Sequence, residues 1–196
     1  MKKHFILVLL ITLASVFNAL AQTQVWKLDK SHSSIGFAID HMVISETKGE
    51  FDDFTLNVLA DKPDFTDAKF DVNIPVQSIN TKDKKRDEHL VGPDFFDAAK
   101  YPNIVIKGVQ FKKVSGKKYK AIVDFAMHGI TKRVQLDAVF NGIVKDPWGN
   151  TRAGLLISGE IDRYLFDLKY NSALEAGGVA LGQMVRISCS FELIKG

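Results

Sequence analysis

Cysteine and net charge are both scarce in this sequence. Its 196 residues include a single cysteine, Cys189, so an internal disulfide is excluded and stability has to come from packing. The formal net charge is +3, and it falls to +1 when Lys2 and Lys3 of the N-terminal segment are set aside. Such a balance gives no electrostatic reason to expect nucleic acid or an anionic membrane surface as a partner.

Long hydrophobic runs are equally rare. The one candidate, Phe5–Phe17, is too short for a comfortable transmembrane helix. It follows the basic start Met1-Lys2-Lys3 and precedes Ala19-Leu20-Ala21, a small-x-small cleavage site. This arrangement predicts a secretory signal peptide over residues 1–21. The rest of the chain, residues 22–196, has the size of one domain, which we expect to be periplasmic or secreted and not membrane-spanning.

Motifs for catalysis and metal binding are absent from the sequence. The histidines beyond the signal peptide are widely spaced, and none forms a His-x-His or His-x-x-x-His pair. Gly-x-Ser-x-Gly does not occur, and Ser33 would point to the opposite face of a strand from His32. The sequence therefore predicts no catalytic residue, no metal site and no cofactor. A hydrolase or isomerase using His32, His41 or His128 is the least favoured alternative.

Short segments of alternating apolar and polar residues make up most of the remaining chain. The clearest are Ser33–Asp40, Ala68–Val76, Asn103–Lys113, Tyr119–Met127, Arg133–Ile143, Arg152–Ile161 and Met184–Ile194. A period of two between turns such as Ser115-Gly116-Lys117 is typical of antiparallel strands. With Thr23–Leu28 and a strand that resumes at Phe54 after a junction or bulge, about eight or more strands are predicted. This all-β pattern indicates a sandwich or a barrel, and a barrel of this size either encloses a small ligand or is filled by its own side chains.

Two segments depart from the alternation. Arg86–Pro102 follows Asn80-Thr81, which can cap a helix, and it predicts a short helical insertion. Its adjacent aromatic residues, Phe95-Phe96, would close one end of the core. Lys169–Gln183 is rich in Gly and Ala and predicts a mobile loop. Each of the two segments is a candidate for the entrance to the interior.

The inward faces carry many flat or flexible apolar side chains. Those that can converge on one interior are Phe37, Phe51, Phe54, Phe70, Phe96, Phe125 and Met127. An ordinary packed core is one explanation for them. A lining that accepts a long hydrocarbon without offering hydrogen bonds is the other. Burial of each CH₂ group contributes about 0.8 kcal/mol, so a five-carbon isoprene unit would contribute about 4 kcal/mol.

The order of the motifs is more specific than their periodicity. In sequence they are His32-Ser33-Ser34-Ile35-Gly36-Phe37, His41-Met42-Val43-Ile44-Ser45, Gly49-Glu50-Phe51-Asp52-Asp53-Phe54, Ser78-Ile79-Asn80-Thr81, Arg86-Asp87-Glu88-His89-Leu90, Asp94-Phe95-Phe96-Asp97, Tyr101-Pro102, Met127-His128-Gly129-Ile130-Thr131-Lys132 and Pro147-Trp148-Gly149-Asn150-Thr151-Arg152-Ala153-Gly154. Over nearly all of Val25–Leu193 the chain resembles the YceI-like family of exported bacterial proteins, named for polyisoprenoid binding.

The resemblance implies an extended antiparallel, lipocalin-like β-barrel of about eight strands with a short helical insertion. Such a barrel encloses the tail of an isoprenoid lipid or quinone, often in a homodimer. The residues predicted to line or close the tunnel are Phe37, Ile39, Phe51, Phe54, Phe70, Val72, Phe96, Ile106, Phe125, Met127, Leu155 and Phe166. The function implied is non-enzymatic binding and carriage of a long apolar lipid. A filled barrel serving as a stress-response or protein-interaction module is the alternative.

One segment differs from the family pattern. Where members tend toward Asn-Arg-x-Asp-Phe-Gly, this chain has Asp162-Arg163-Tyr164-Leu165-Phe166-Asp167. Arg163 and Phe166 are kept, whereas Leu165 replaces a polar residue and Asp167 replaces a glycine. The family's preference for a ligand head group is therefore not transferred to this chain.

Overall fold

The computed structural model describes residues 23–174 and 178–196. The predicted signal peptide, residues 1–21, and residues 175–177 of the predicted loop lie outside the described residues. The strands are β1 (Val25–Leu28), β2 (Ser34–His41), β3 (Ser45–Phe51), β4 (Thr55–Leu59), β5 (Lys69–Pro75), β6 (Ile79–Asn80), β7 (Asn103–Ser115), β8 (Lys118–Met127), β9 (Ile130–Lys145), β10 (Thr151–Asp162) and β11 (Leu181–Lys195). One α-helix, α1 (Lys84–Val91), and three short 3-10 turns, Lys30–His32, Val76–Ser78 and Arg163–Phe166, complete the described elements.

The strands form one antiparallel sheet that closes on itself. Eight of them follow the order β1-β4-β5-β7-β8-β9-β10-β11, and β11 pairs with β1 to complete the circle. Trp26 of β1 lies opposite Lys195 of β11 at this seam. The predicted all-β antiparallel barrel of about eight strands is confirmed.

Strand β11 shares one of its edges between two strands. Its C-terminal part pairs with β1, while the part from Leu181 to Ser190 pairs with β2. β2 then pairs with β3, and β3 with the short β6. These three strands extend the barrel wall at one end, and α1 follows directly after β6. Among the residues described here, no helix is long and apolar enough to cross a membrane.

Alternation along the strands points one row of side chains inward. In β8 the buried residues are Tyr119, Ala121, Val123, Phe125 and Met127, and the residues between them are more exposed. The break expected after Phe51 is a strand junction, because β3 ends at that residue and β4 begins at Thr55.

Local predictions near α1 and β11 need correction. The N-cap of α1 is Asp83, whose carboxylate accepts the N–H groups of Lys85 and Arg86, rather than Asn80-Thr81. β11 begins at Leu181, so the last residues of the predicted loop are strand. The sequence pattern does not predict β3, because its first residues, Ser45–Glu50, carry polar groups on both faces and show no apolar alternation.

Aromatic side chains pack across one end of the barrel, next to the β4–β5, β7–β8 and β9–β10 connections. Phe65 lies between Trp26 and Phe140, with ring centroids 5.0 and 4.7 Å away. Phe111 stacks on Tyr119 at 4.7 Å, and the Tyr119 hydroxyl donates to the backbone carbonyl of Asp64. We call this the aromatic floor: Trp26, Phe65, Phe111, Tyr119 and Phe140. All five side chains are buried.

An ion-pair network fixes the strands at the floor end. Arg152 of β10 contacts Asp29, Asp146 and Glu192, with N–O distances of 2.6, 2.6 and 2.5 Å, and is 17% exposed. Asp29, His32 and Glu192 could also be viewed as ligands for a metal, since their donor atoms lie within 4.8 Å of one another. Both carboxylates already bind Arg152, so the cluster is an ion-pair network that joins β10, β11 and the β1–β2 connection.

The Arg152 network predicts how stability depends on pH. Burial by itself would raise the pKa of Asp146, but hydrogen bonds from Arg152 and Asn150 lower it from 3.8 to about 2. The ionised Asp146 therefore contributes stability above about pH 4, and this contribution is lost as the pH falls toward 2. Asp146→Asn should lower the urea midpoint of unfolding at pH 7, and the difference from wild type should shrink at pH 3.

The matched control for this experiment is Asp137→Asn. Asp137 pairs with Lys120 on the exposed face of the sheet, and exposed pairs contribute little. Its urea midpoint should change far less at pH 7. An equal loss for Asp146→Asn at pH 3 and pH 7 would contradict the assignment.

Candidate functional site

The barrel encloses a cavity of about 430 Å³. Aliphatic and aromatic side chains form most of its wall, and the volume falls within the roughly 300–1,000 Å³ typical of small-molecule sites. This open interior argues against the alternative of a barrel filled by its own side chains.

Most of the predicted lining residues face this cavity. Those that do are Phe37, Ile39, Phe51, Phe70, Val72, Phe96, Ile106, Phe125, Met127 and Leu155. The other two, Phe54 and Phe166, are buried in the core behind the wall, where Phe54 packs against Phe191 and Phe166 against Phe125. That any of these residues binds a ligand stays a prediction.

Further lining residues come from β11, which the predicted set omits. Val185, Ile187 and Cys189 lie opposite Ile39, Phe37 and Ile35 of β2, and all six side chains line the cavity. The signal was present in the sequence, because β11 shows the same alternation as β2. Only the pairing of β11 with β2 places the two apolar rows against one another.

Close packing around Phe37 depends on a glycine. A Cβ atom at Gly49 would lie 2.4 Å from Cζ of Phe37, so the ring of Phe37 rests directly on the backbone of β3. The same ring packs against Phe51 with centroids 5.7 Å apart. Gly49 thus lets an aromatic side chain lie flat against the wall and leaves the centre of the barrel open.

Polar groups gather at the cavity end opposite the aromatic floor, where β2 and β10 end and β11 begins. We call this end the mouth. The polar side chains that line it are His41, Thr47, Arg86, His89, Arg163, Tyr170 and Ser172. The cavity is therefore asymmetric, with an apolar closed end and a polar end.

The two segments expected to compete as the entrance meet at the mouth. Tyr170 lies 5.1 Å from His89 and 4.7 Å from Phe95, measured between ring centroids, and Tyr170 is 40% exposed. His89 in turn packs against Phe95 at 5.0 Å. The helical insertion and the segment after β10 are thus two sides of one closure.

Hydrogen bonds hold α1 against the end of β6. The backbone N–H and the hydroxyl of Thr81 donate to the Asp87 carboxylate at 2.8 and 2.6 Å. Arg86 donates through Nε to the Thr81 hydroxyl and through Nη2 to its carbonyl oxygen. Thr81 itself is buried. This arrangement places Arg86 and His89 at the mouth.

Arg163 is held at the mouth by backbone carbonyl groups. Its Nε donates to Gly182 at 2.8 Å, and its Nη1 donates to Leu168 and Tyr170. Burial lowers the pKa of Arg163, although a guanidinium stays charged in proteins. The side chain therefore fixes the chain that follows β10 against the start of β11.

The differences from the family pattern next to Arg163 have structural explanations. Asp167 adopts φ 62° at the end of the 3-10 turn, a conformation that favours glycine but is also open to aspartate. Leu165 is half exposed on the outside of the turn and does not line the cavity.

The histidines proposed for a hydrolase lie in separate environments. His32 bonds to the Asp29 carboxylate, while His128 donates to the Phe166 carbonyl oxygen and packs on Tyr101. His41 is the one of the three that lines the cavity. The structure does not bring two of these imidazoles together in that pocket.

A closed antiparallel barrel with an apolar interior and a polar mouth is the architecture of a barrel-type binding protein. The sequence profile of the YceI-like domain matches residues 26–193. The chain belongs to the YceI-like family, as its motifs predicted.

Known relatives agree with this assignment. A UPF0312 protein of Staphylococcus aureus strain USA300 is 39% identical over 167 residues, which cover 84% of this chain and 94% of the relative. The crystal structure of the Campylobacter jejuni YceI protein has a TM-score of 0.69 at 31% identity, covering 86% of this chain and 96% of that one. A polyisoprenoid-binding domain from Saccharophagus degradans shares the fold at 13% identity, with a TM-score of 0.65 over 89% of this chain and 100% of that domain.

The inward position of Cys189 can be tested by its reactivity. Burial raises the pKa of the Cys189 thiol to about 12, so the reactive thiolate is scarce at pH 8. Iodoacetamide should leave the folded protein unmodified at pH 8 and alkylate it in urea, as measured by intact mass.

Moving the thiol by one residue provides the control. In the double variant Ser188→Cys, Cys189→Ser, the thiol lies on the outward, exposed face of β11 and should react in the folded state. Rapid alkylation of the folded wild-type protein would contradict the assigned register of β11.

Proposed function

We propose that this protein binds a long apolar lipid of the isoprenoid type, such as a polyprenol or quinone tail, inside the barrel. It carries the lipid without covalent chemistry. The observation that carries this proposal is the apolar cavity, closed by the aromatic floor and polar only at its mouth. A molecule with a long hydrocarbon tail and a polar end matches that asymmetry.

Desolvation supplies the binding energy in this proposal. Burial of each isoprene unit contributes about 4 kcal/mol before the costs of association are subtracted. Apolar side chains from the strands of the sheet and from the helical insertion line the wall, so a flexible tail meets few unsatisfied polar groups. Hydrogen-bonding groups at the mouth are left for the other end of the molecule.

The family supports a lipid as the ligand class. The Saccharophagus degradans domain, described as polyisoprenoid binding, has the same fold. Together with the predicted signal peptide, this leads us to propose a carrier that works in the periplasm or outside the cell. A homodimer stays a prediction, and light scattering of the purified protein would test it.

The central experiment measures lipid occupancy. Protein purified from its native host compartment should carry an extractable lipid, detected by native mass spectrometry. Ile106→Trp and Phe37→Trp add bulk to the cavity wall and should reduce occupancy several-fold. Lys107→Trp is the matched control, because Lys107 is the exposed neighbour of Ile106 on the same strand.

Two outcomes would count against lipid carriage. One is lipid-free protein that takes up nothing from a panel of polyprenols and quinones. The other is equal loss of occupancy in Lys107→Trp and Ile106→Trp, with all variants folded by circular dichroism.

The mouth closure makes a kinetic prediction. Tyr170→Ala removes the ring that packs the segment after β10 against His89 and Phe95, so a bound fluorescent polyene lipid should exchange several-fold faster in a stopped-flow assay. Leu165→Ala serves as the control, because Leu165 is exposed outside the cavity wall near the same end. Unchanged exchange in Tyr170→Ala would place the entrance elsewhere.

A further inference from the structure

The turn between β2 and β3 exposes three apolar side chains in a row. Met42, Val43 and Ile44 connect the two strands, and they are 43%, 80% and 86% exposed. Single apolar side chains on a surface are ordinary, whereas three consecutive ones form a patch of the kind that marks an interaction site. We call Met42–Ile44 the apolar tip. Its side chains do not line the cavity, so packing of the interior does not account for them.

The backbone of the apolar tip is unfavourable for the residues that form it. Met42 and Val43 have φ angles of 52° and 64°. Positive φ at both central residues is the geometry of a type I′ turn, which strongly prefers Asn-Gly. A β-branched residue such as Val43 rarely adopts this conformation, so the turn is less stable than Asn-Gly would make it. Such an outlier indicates that the side chains serve a purpose other than folding.

The apolar tip stands at the rim of the mouth. His41, which precedes it, lines the cavity, as do Ala180 and Leu181 on the neighbouring segment. Leu181 pairs with His41, and the Met42 N–H donates to the Ala180 carbonyl oxygen at 2.8 Å. Val179, which is 44% exposed, continues this segment outward. Apolar side chains thus extend from the cavity wall over the rim to the outer surface.

Backbone groups at the apolar tip are bonded within the protein. The Met42 N–H is held by Ala180, and the Ile44 N–H donates to the His41 carbonyl oxygen at 3.3 Å. The Ser45 hydroxyl donates to the same carbonyl oxygen. A segment that enters a hydrocarbon layer has to satisfy its backbone groups internally. The apolar tip can therefore leave water with little loss of hydrogen bonding.

Charged side chains of both signs lie a few residues from the apolar tip, toward the middle of the strands. Arg186 contacts Asp40 and Glu46 at 2.8 and 2.7 Å, and Lys48 lies 3.4 Å from Glu46. We call these four residues the charged belt, and their formal charges cancel. An apolar layer next to a neutral layer that contains both charges is also the order found at the surface of a zwitterionic phospholipid bilayer.

We propose that the apolar tip inserts into the surface of a zwitterionic phospholipid bilayer and holds the mouth against it, so that the lipid passes directly between bilayer and cavity. This inference rests on the proposed function, because a long apolar lipid is taken from a bilayer and returned to one. The apolar tip reaches the boundary of the acyl chains, and the charged belt stays among the head groups. Burial of apolar surface drives the contact, so neither anionic lipid nor low salt is needed.

A surface at the floor end favours a different kind of contact. The β7–β8 hairpin carries Lys112, Lys117, Lys118 and Lys120, and Trp148 on the β9–β10 connection is 81% exposed. Lysines of this kind attract an anionic surface, and salt screens that attraction. The aromatic floor closes the cavity at this end, so contact here opens no path for the lipid. Lipid charge and ionic strength therefore distinguish the two ends.

The test gives the turn the sequence that its backbone prefers. Met42→Asn, Val43→Gly removes two apolar side chains and the strained conformation together, so the urea midpoint should equal or exceed that of wild type. Co-sedimentation of the delipidated protein with phosphatidylcholine vesicles should fall several-fold, and transfer of a fluorescent polyene lipid between vesicles should slow by a similar factor. Uptake of the same lipid from ethanol solution should be unchanged, because neither residue lines the cavity.

The matched control is Val114→Asn, Val144→Asn. These valines are 59% and 64% exposed at the floor end, so two apolar side chains are lost at the opposite end of the barrel. Vesicle binding and transfer should stay at the wild-type level.

Fluorescence provides a second measurement that does not depend on the double variant. Ile44→Trp should be quenched by brominated phospholipids in the vesicles. The two natural tryptophans, Trp26 and Trp148, lie at the floor end, so the wild-type protein should not be quenched. Quenching of the wild type, or none in Ile44→Trp, would contradict the proposed orientation.

Three results would overturn the bilayer contact. One is wild-type protein that does not bind phosphatidylcholine vesicles, or a double variant that binds them equally well. Another is binding that requires anionic lipid and disappears at high salt, which assigns the contact to the lysine-rich hairpin. The third is a wild-type dimer that dissociates in the double variant without any vesicle binding, which shows that a second copy covers the apolar tip.

The two proposals fail separately. Uptake of the lipid from solution without vesicle binding would leave lipid carriage standing and refute the bilayer contact. Vesicle binding without uptake would refute lipid carriage and leave the bilayer contact standing.

Discussion

The shape of the barrel depends on how strand β11 divides one of its edges between two neighbouring strands. One part of that edge closes the barrel through β1, and the rest pairs with β2. Backbone hydrogen bonding thus allows a tightly closed circle at one end and a wider wall, continued through β3 and β6, at the other. The aromatic floor lies in the closed circle. The mouth lies where the wall widens, and α1 with the segment after β10 covers it.

The cavity follows from this geometry together with the size of the side chains. Near the floor, Phe65 packs against Trp26 and Phe140, Tyr119 stacks on Phe111, and all five rings are buried. Toward the mouth, inward residues such as Phe37 and Ile187 lie against the wall and remain partly accessible from the interior. A barrel of eight strands is just wide enough for either outcome, so the local choice of side chain decides which end is filled.

Strand β10 shows how one residue type serves two purposes. Arg152, near its start, contacts three carboxylates and ties the floor end together. Arg163, just past its end, donates to three backbone carbonyl groups. The first arginine is paired with carboxylates, whereas the second lies over the Tyr164 ring and contacts no carboxylate among the residues that the structure describes. That difference in partners separates an ion-pair network at the floor end from a side chain held by backbone carbonyl groups at the mouth.

The sequence by itself determined the family, the all-β class and most inward positions. Successive side chains of a strand point to opposite faces of the sheet, so an apolar residue at every second position identifies the face that lies inside the barrel. It placed Phe37, Ile106 and Met127 on the cavity wall for that reason. Only the tertiary structure decided that Phe54 and Phe166 lie behind the wall, that the two entrance segments meet at Tyr170, and that the charged Arg163 is buried. These facts depend on which strands pair and on contacts between residues distant in sequence, which no local pattern encodes.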